Sequence, residues 1–180
     1  MIAEGTVDAP LAQALQAWAG DRRIVPARDA TVLLLGFPGT HAPRYRAIPG
    51  GIAGATLAID AEPLEPASAG DLPGLTAVRR AQSEWLLDVT LARLRRRRSA
   101  GQPLAAHTHL RLRFAEAAGR LAEAAAIEDL PGAGEHAHRT ITRADEILAE
   151  LHGGSSVLTG SPGHLARFSA LLALAFAGVM

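Results

Sequence analysis

The 180-residue sequence contains no cysteine and no lysine. Without thiols there is no disulfide framework, no thiolate metal site and no cysteine nucleophile. Without lysine all 18 side-chain cations are arginine, a bias that accompanies abundant Ala and Gly and therefore says little about function. Aromatic residues are scarce as well, 4% against a hydrophobic content of 48%. A core must then be built from Ala, Leu, Ile and Val, and the strong helix propensity of Ala and Leu favours helices over a β-sandwich. Net charge is missing too, since 18 acidic residues balance the arginines. That removes any overall attraction to nucleic acid or to an anionic membrane. The most apolar stretch, 169–180, is shorter than the about 20 residues a spanning helix needs. Met1-Ile2-Ala3-Glu4 also lacks the basic start of a signal peptide. The expectation is a cytoplasmic protein with no membrane and no nucleic-acid partner.

What is present divides near residue 70. Before it, Gly and Pro punctuate short apolar runs. Asp8-Ala9-Pro10 caps a helix with Leu11, Leu15 and Trp18 on one stripe. Thr31-Val32-Leu33-Leu34-Leu35-Gly36-Phe37 reads as a strand ended by Pro38-Gly39, and 45–48 and 55–59 read as weaker strands. After residue 70 the pattern is helical. Segment 75–98 carries Val78, Trp85, Leu86, Val89 and Leu94 with charges opposite, and 107–130 aligns Leu110, Phe114, Ala117, Leu121 and Ala125. Segment 134–151 aligns Ile141, Ala144, Ile147, Leu148 and Leu151. Segment 165–176 is apolar almost all round and should be buried on every side. The expected fold is α+β and mainly α: a small remnant β-domain with a short N-terminal helix over 1–70, then an up-and-down four-helix bundle over 71–180.

Several constellations carry little chemistry. His107-Thr108-His109 and His136-Ala137-His138 place their imidazoles about 200° apart on a helix, so neither pair chelates from one face. No metal site is expected, and these histidines read as surface or capping residues. Ser155, Ser156 and Ser161 lie in a Gly-rich loop without the Gly-x-Ser-x-Gly elbow of a hydrolase. The Arg cluster lacks interleaved aromatics, which argues against nucleic acid.

Two motifs say more. Arg97-Arg98-Ser99-Ala100-Gly101-Gln102-Pro103-Leu104 closes an Arg-rich helix, and Leu151-His152-Gly153-Gly154 follows two helices later. A cation at a helix C-terminus is favoured by the macrodipole by about 0.3–1 kcal/mol, and an Arg fork suits a pyrophosphate. Glycines let backbone N–H groups approach a phosphate closely. In order and spacing these motifs resemble the C-terminal helical bundle of acyl-CoA dehydrogenases. There they read Arg-x-x-Phe-Gly-x-Pro-Leu and Gln-Leu-His-Gly-Gly. Arg113 to Arg120 resembles the family's Arg-x-x-Leu-Ala-x-Met-x-x-Arg run, and the likeness extends over roughly 28–180. It implies FAD, with Arg97, Gly101, His152, Gly153 and Gly154 holding its ADP half across a subunit interface. It also implies an acyl thioester substrate and a homo- or hetero-oligomer with an acyl-CoA dehydrogenase-like chain.

The departures from the family pattern are specific. The motif's Phe is Ala100, the Gln before Leu-His-Gly-Gly is Glu150, and the position of the usual catalytic Glu is Ala177. Another branch of the family carries its base at the start of the first bundle helix, where this sequence has Asp71. The family's N-terminal helical domain and final helix have no counterpart in these residues. The expectation is a subunit that contributes part of a shared FAD site and is inactive alone. The alternative is a non-catalytic pseudoenzyme serving as an interaction or scaffold partner.

Overall fold

The computed structural model describes residues 9–20, 24–27, 31–35, 45–47, 55–60, 72–158 and 161–177. Asp71, the candidate base, lies outside the described residues. Helix α1 (Ala9–Ala19) leads into strands β1 (Ile24–Pro26), β2 (Thr31–Leu35), β3 (Tyr45–Ala47) and β4 (Ala55–Asp60). These form one antiparallel sheet in the order β1-β2-β4-β3, with Leu33 opposite both Val25 and Leu57. The three-residue β1, which the sequence pattern does not suggest, is a Pro-ended edge strand too short to show an alternation.

Helices α2 (Leu72–Arg96), α3 (Thr108–Ile127), α4 (Gly134–His152) and α5 (Pro162–Ala177) follow. The fold is therefore the expected one, a small sheet followed by a four-helix bundle. Ser161 Oγ accepts the backbone N–H of His164, and Pro162 occupies the first turn, so α5 starts on a Ser cap with a Pro behind it. The largest core cluster joins Leu11 and Leu15 of α1, Leu33, Leu35 and Leu57 of the sheet, and Leu165, Phe168, Leu172 and Phe176 of α5. Trp18 meets Phe176 edge to face at 5.6 Å between ring centroids. The apolar circumference of α5 is thus covered largely within the chain, and of its large apolar side chains only Leu174 is exposed.

The expected stripe on α4 matches except at its end: Ile141, Ala144, Ile147 and Leu148 are buried, and Leu151 is half-buried. On α3 Ala117 and Leu121 are buried but Leu110 and Phe114 only half-buried, and at the end of the stripe Ala124 is buried while Ala125 faces solvent, a shift of one position. On α2 the expectation holds only in part: Leu86 and Leu94 are buried. Val78, Trp85 and Val89 are only half-buried, while Thr76, Arg79, Gln82, Ser83 and Thr90 are buried. The face of α2 that enters the bundle is largely polar, and polar residues of α4 answer it.

Thr76 Oγ1 lies 3.2 Å from His138 Nε2, Ser83 Oγ donates to Asp145 Oδ1 at 2.6 Å, and Thr90 Oγ1 lies 2.9 Å from His152 Nε2. Each pair is separated by 62 residues, so the register is constant and α2 and α4 run parallel. The three layers recur every seventh residue, the spacing at which one helix face keeps meeting another in a coiled seam. His138 is therefore not a surface or capping residue, as the His-x-His pattern implies; it is fully buried.

Arg79 ties this seam to α5. Its Nε donates to Ser169 Oγ at 3.0 Å, Nη1 to His138 Nδ1 at 2.9 Å, and Nη2 to Thr142 Oγ1 at 2.8 Å. A guanidinium can only donate, so His138 Nδ1 accepts and its proton sits on Nε2, facing Thr76. Burial pushes Arg79 down to about 10, with the Asp145 charge opposing. Burial likewise raises Asp145 to about 6, with Arg79 pulling it back. At neutral pH both are charged inside the bundle.

Candidate cofactor-binding site

The Arg-rich end of α2 breaks into a two-strand hairpin, β5 (Arg98–Ser99) and β6 (Gln102–Pro103), closed by the Leu104 N–H donating to the Arg97 carbonyl at 2.8 Å. Its two-residue loop is Ala100-Gly101, with φ of 50° and 79°. Positive φ at both positions is what a type I′ hairpin needs, and it explains the Gly at 101. The Phe-to-Ala departure at 100 places a small side chain on this exposed tip.

The second motif lies beside the first. His152 ends α4 with its imidazole buried, and its link to Thr90 is internal to the bundle. Thr90 donates its only hydroxyl proton to the Leu86 carbonyl at 2.7 Å, so His152 Nε2 carries a proton and donates to Thr90. Burial, then the nearby Arg93 charge, lowers His152 to about 4, so the ring is neutral. Gly153 follows at φ 64° and ψ −150°, a backbone region open essentially to glycine alone. Gly154 needs no such freedom, and a Cβ there would meet open space.

Arg93, which the motif comparison did not single out, joins the two. Its Nη2 donates to the His152 carbonyl at 3.2 Å and to Ser155 Oγ at 2.9 Å. Its Nε is buried without an acceptor among the described residues. Burial, then repulsion from Arg97 and Arg96, pulls its pKa below the ordinary value. Arg95, Arg96, Arg97 and Arg98 are exposed, and none forms an ion pair among the described residues. Uncompensated cations crowded beside a Gly-Gly turn are an environment that an anion relieves. The residues therefore fit the pyrophosphate half of a dinucleotide. Glu150, the carboxylate that would repel it, is turned to Arg113 of α3 and ion-paired there.

Other residues singled out in the sequence lie apart from this cluster. Ala177 is buried at the end of α5. His136 faces Glu123 at 2.9 Å on the surface, and His109 is exposed. Among the described residues no three His, Cys, Asp or Glu side chains gather as a ligand set. The signal that could have found Arg93 is its position one helical turn before Arg97, on the side facing the end of α4.

No family model and no curated protein matches this chain. Solved structures do. An acyl-CoA dehydrogenase from Geobacillus kaustophilus superposes with a TM-score of 0.54 at 14% identity, over 82% of this chain and 49% of that one. A glutaryl-CoA dehydrogenase from Mycobacterium smegmatis, in complex with FADH2, gives 0.52 at 17% identity over 81% and 47%. FkbI, described as acting in biosynthesis of a methoxymalonyl extender unit, gives 0.55 at 16% over 90% and 56%. The chain thus has the acyl-CoA dehydrogenase fold and spans about half the length of these structures. Its bundle is the fold of that group's C-terminal helical domain. No helix among the described residues is long and apolar enough to cross a membrane.

The site makes one stability prediction. Gly153→Ala should cost about 1–3 kcal/mol, because the new Cβ meets a glycine-only backbone. Gly154→Ala should leave the denaturation midpoint almost unchanged. Urea unfolding of the two variants checks this, and equal losses would mean that the turn geometry is not as described.

Proposed function

We propose that this chain is a subunit of an acyl-CoA dehydrogenase-like flavoprotein, contributing an anion-binding corner to an FAD site shared with a partner chain. The observation that carries the reading is the Arg93 bridge from the end of α2 to the His152-Gly153 turn, with Arg95 to Arg98 left uncompensated around it. In this reading Arg97 forks onto the pyrophosphate, Arg93 positions the turn, and the Gly153 and Gly154 backbone approaches the phosphates. Gly101 sets the hairpin that aims Arg97. His152 serves through its carbonyl and its buried ring rather than by touching the cofactor. FAD, when bound, supplies the hydride acceptor for an acyl thioester. The partner supplies the base, since Ala177 can hold no proton, and the chain alone does not turn over. The exposed Leu112 and the open groove of about 520 Å3 between the end of α2 and the start of α3 offer the surface for that partner. Residues 71–180 form the cofactor-bearing bundle and 1–70 the β-domain remnant. The protein works in the cytoplasm.

The test is flavin retention by the chain co-purified with an acyl-CoA dehydrogenase-like partner. Arg97→Ala should weaken FAD binding by about ten- to a hundredfold, the value of a charge-assisted phosphate contact. Arg95→Ala should cost little beyond a salt-dependent general effect. Equal losses would reduce the cluster to a solvated helix end. Complete absence of flavin absorbance from the complex would favour the second reading, a non-catalytic scaffold, which the buried Ala177 independently supports.

A further inference from the structure

Residues 89–115 carry seven arginines, two histidines and no Asp or Glu, so a chain of zero net charge has one strongly cationic end. At that end lies the open groove of about 520 Å3 between α2 and α3. Leu91 and Leu94 of α2 and Leu110 and Phe114 of α3 give it an apolar lining. Leu112, which also lines it, is 66% exposed, more than any other large apolar side chain described. Arg95 reaches the groove from α2 and Arg111 from α3. Both are exposed, and neither forms an ion pair among the described residues. The groove thus joins an apolar lining to one unpaired cation from each helix.

Charge selects the occupant. A second copy would bring its own Arg95 and Arg111 against these, and like charges pressed together oppose docking. Nor are its surface glutamates free to answer them: Arg80 holds Glu84 and Glu128, and Arg113 holds Glu116 and Glu150. An anionic bilayer presents its charge on a flat face, whereas the apolar residues here line a concavity. A protruding apolar ridge flanked by carboxylates fits both features, which is the shape of an amphipathic helix laid in a groove.

We propose that this groove docks an acidic amphipathic helix of a different chain, with its apolar stripe against Leu91, Leu94 and Phe114 and its carboxylates on Arg95 and Arg111. The inference rests on the reading that a partner chain seats here, and it adds that the partner is not another copy and that its docking face is acidic. Each exposed ion pair is worth little alone, so the test removes both cations together.

Two short helical peptides serve as probes of the full chain. Both carry Leu along one face and Ala elsewhere; one has Glu on its flanks and the other Lys. Fluorescence anisotropy of the labelled peptides at low salt should show the Glu peptide binding at least about tenfold more tightly. Arg95→Gln/Arg111→Gln should cost the Glu peptide about tenfold or more in affinity. Arg96→Gln/Arg98→Gln removes equal charge outside the groove and should cost less than about threefold. Equal losses in the two double variants, equal binding of the two peptides, or binding of neither would each overturn the proposal. Self-association of the native chain in sedimentation, abolished by Leu112→Ser, would put a second copy in the groove and overturn it too. Neither peptide involves flavin, so failure here leaves the Arg97 test of the cofactor site standing, and failure of that test leaves this one.

Discussion

Arg79→Met should destabilise the bundle by about 3–5 kcal/mol, the usual result of removing one partner from a buried charge pair. Arg79 is completely buried, and its guanidinium holds Ser169 of α5 and both His138 and Thr142 of α4. Met fills similar volume, so the loss is electrostatic and hydrogen-bonded rather than a cavity. Without the arginine, Asp145 loses the charge that was holding its pKa down against burial, and its carboxyl moves further up. The variant should therefore gain stability as pH falls from 8 to 6, where the lone carboxyl can take a proton. Asp145→Leu should be at least as costly, because the stranded arginine has no comparable escape. The double variant Arg79→Met/Asp145→Leu should recover most of the loss, since a packed apolar pair often equals a buried ionic one. Chemical denaturation of the four proteins closes the cycle. A coupling below about 0.5 kcal/mol would mean that the two charges do not sense each other.

The seam also explains which parts of the architecture could be read from residues. The stripe of α4 was legible because Ile141, Ala144, Ile147 and Leu148 recur at helical spacing and are all buried. The sheet's β2 and β4 were legible because β-branched and apolar runs end at Pro and Gly. The face of α2 was not, since hydropathy assigns Thr76, Arg79, Ser83 and Thr90 to solvent. A signal did exist in the pairing of two sequences: Thr76, Ser83 and Thr90 repeat every seven residues, and so do His138, Asp145 and His152. Hydroxyls facing His and Asp at one shared period are a polar ladder. It becomes visible only when two helices are laid side by side, which one-dimensional hydropathy does not do. In the candidate cofactor site, Arg97 and the Gly-Gly turn were legible as motifs. Arg93 was hidden because five arginines in six residues look interchangeable until one is seen to reach the end of α4.

The same ladder fixes how the protein should respond to acid. Burial, with the Arg79 charge as the second cause, lowers His138 to about 3. Burial and Arg93 lower His152 to about 4. A histidine depressed in the folded state binds its proton in the unfolded chain first. Its contribution is complete above about pH 6.5 and is lost as pH falls through the folded value. Asp145 works in the opposite sense: raised to about 6, it takes up a proton in the folded state first and so adds stability as pH falls from 6 toward 4. The two histidines together are displaced further from their ordinary values than the one carboxyl, so acid should win. Between pH 7 and pH 4 the folded state should lose on the order of 3–5 kcal/mol, since each tenfold change in proton affinity between the folded and unfolded chain is worth about 1.4 kcal/mol. His138 also meets the fixed charge of Arg79, so an imidazolium there would face a cation at 2.9 Å with no carboxylate in the same layer. Replacing it with Gln, which can accept from Arg79 and donate to Thr76, should lower stability modestly at pH 7 but flatten the acid slope. Urea midpoints measured from about pH 7.5 to pH 4 for the native protein, His138→Gln and His152→Gln decide the matter. A native slope that rises toward acid would mean that Asp145 dominates. Identical slopes in all three proteins would place the acid sensitivity outside the seam.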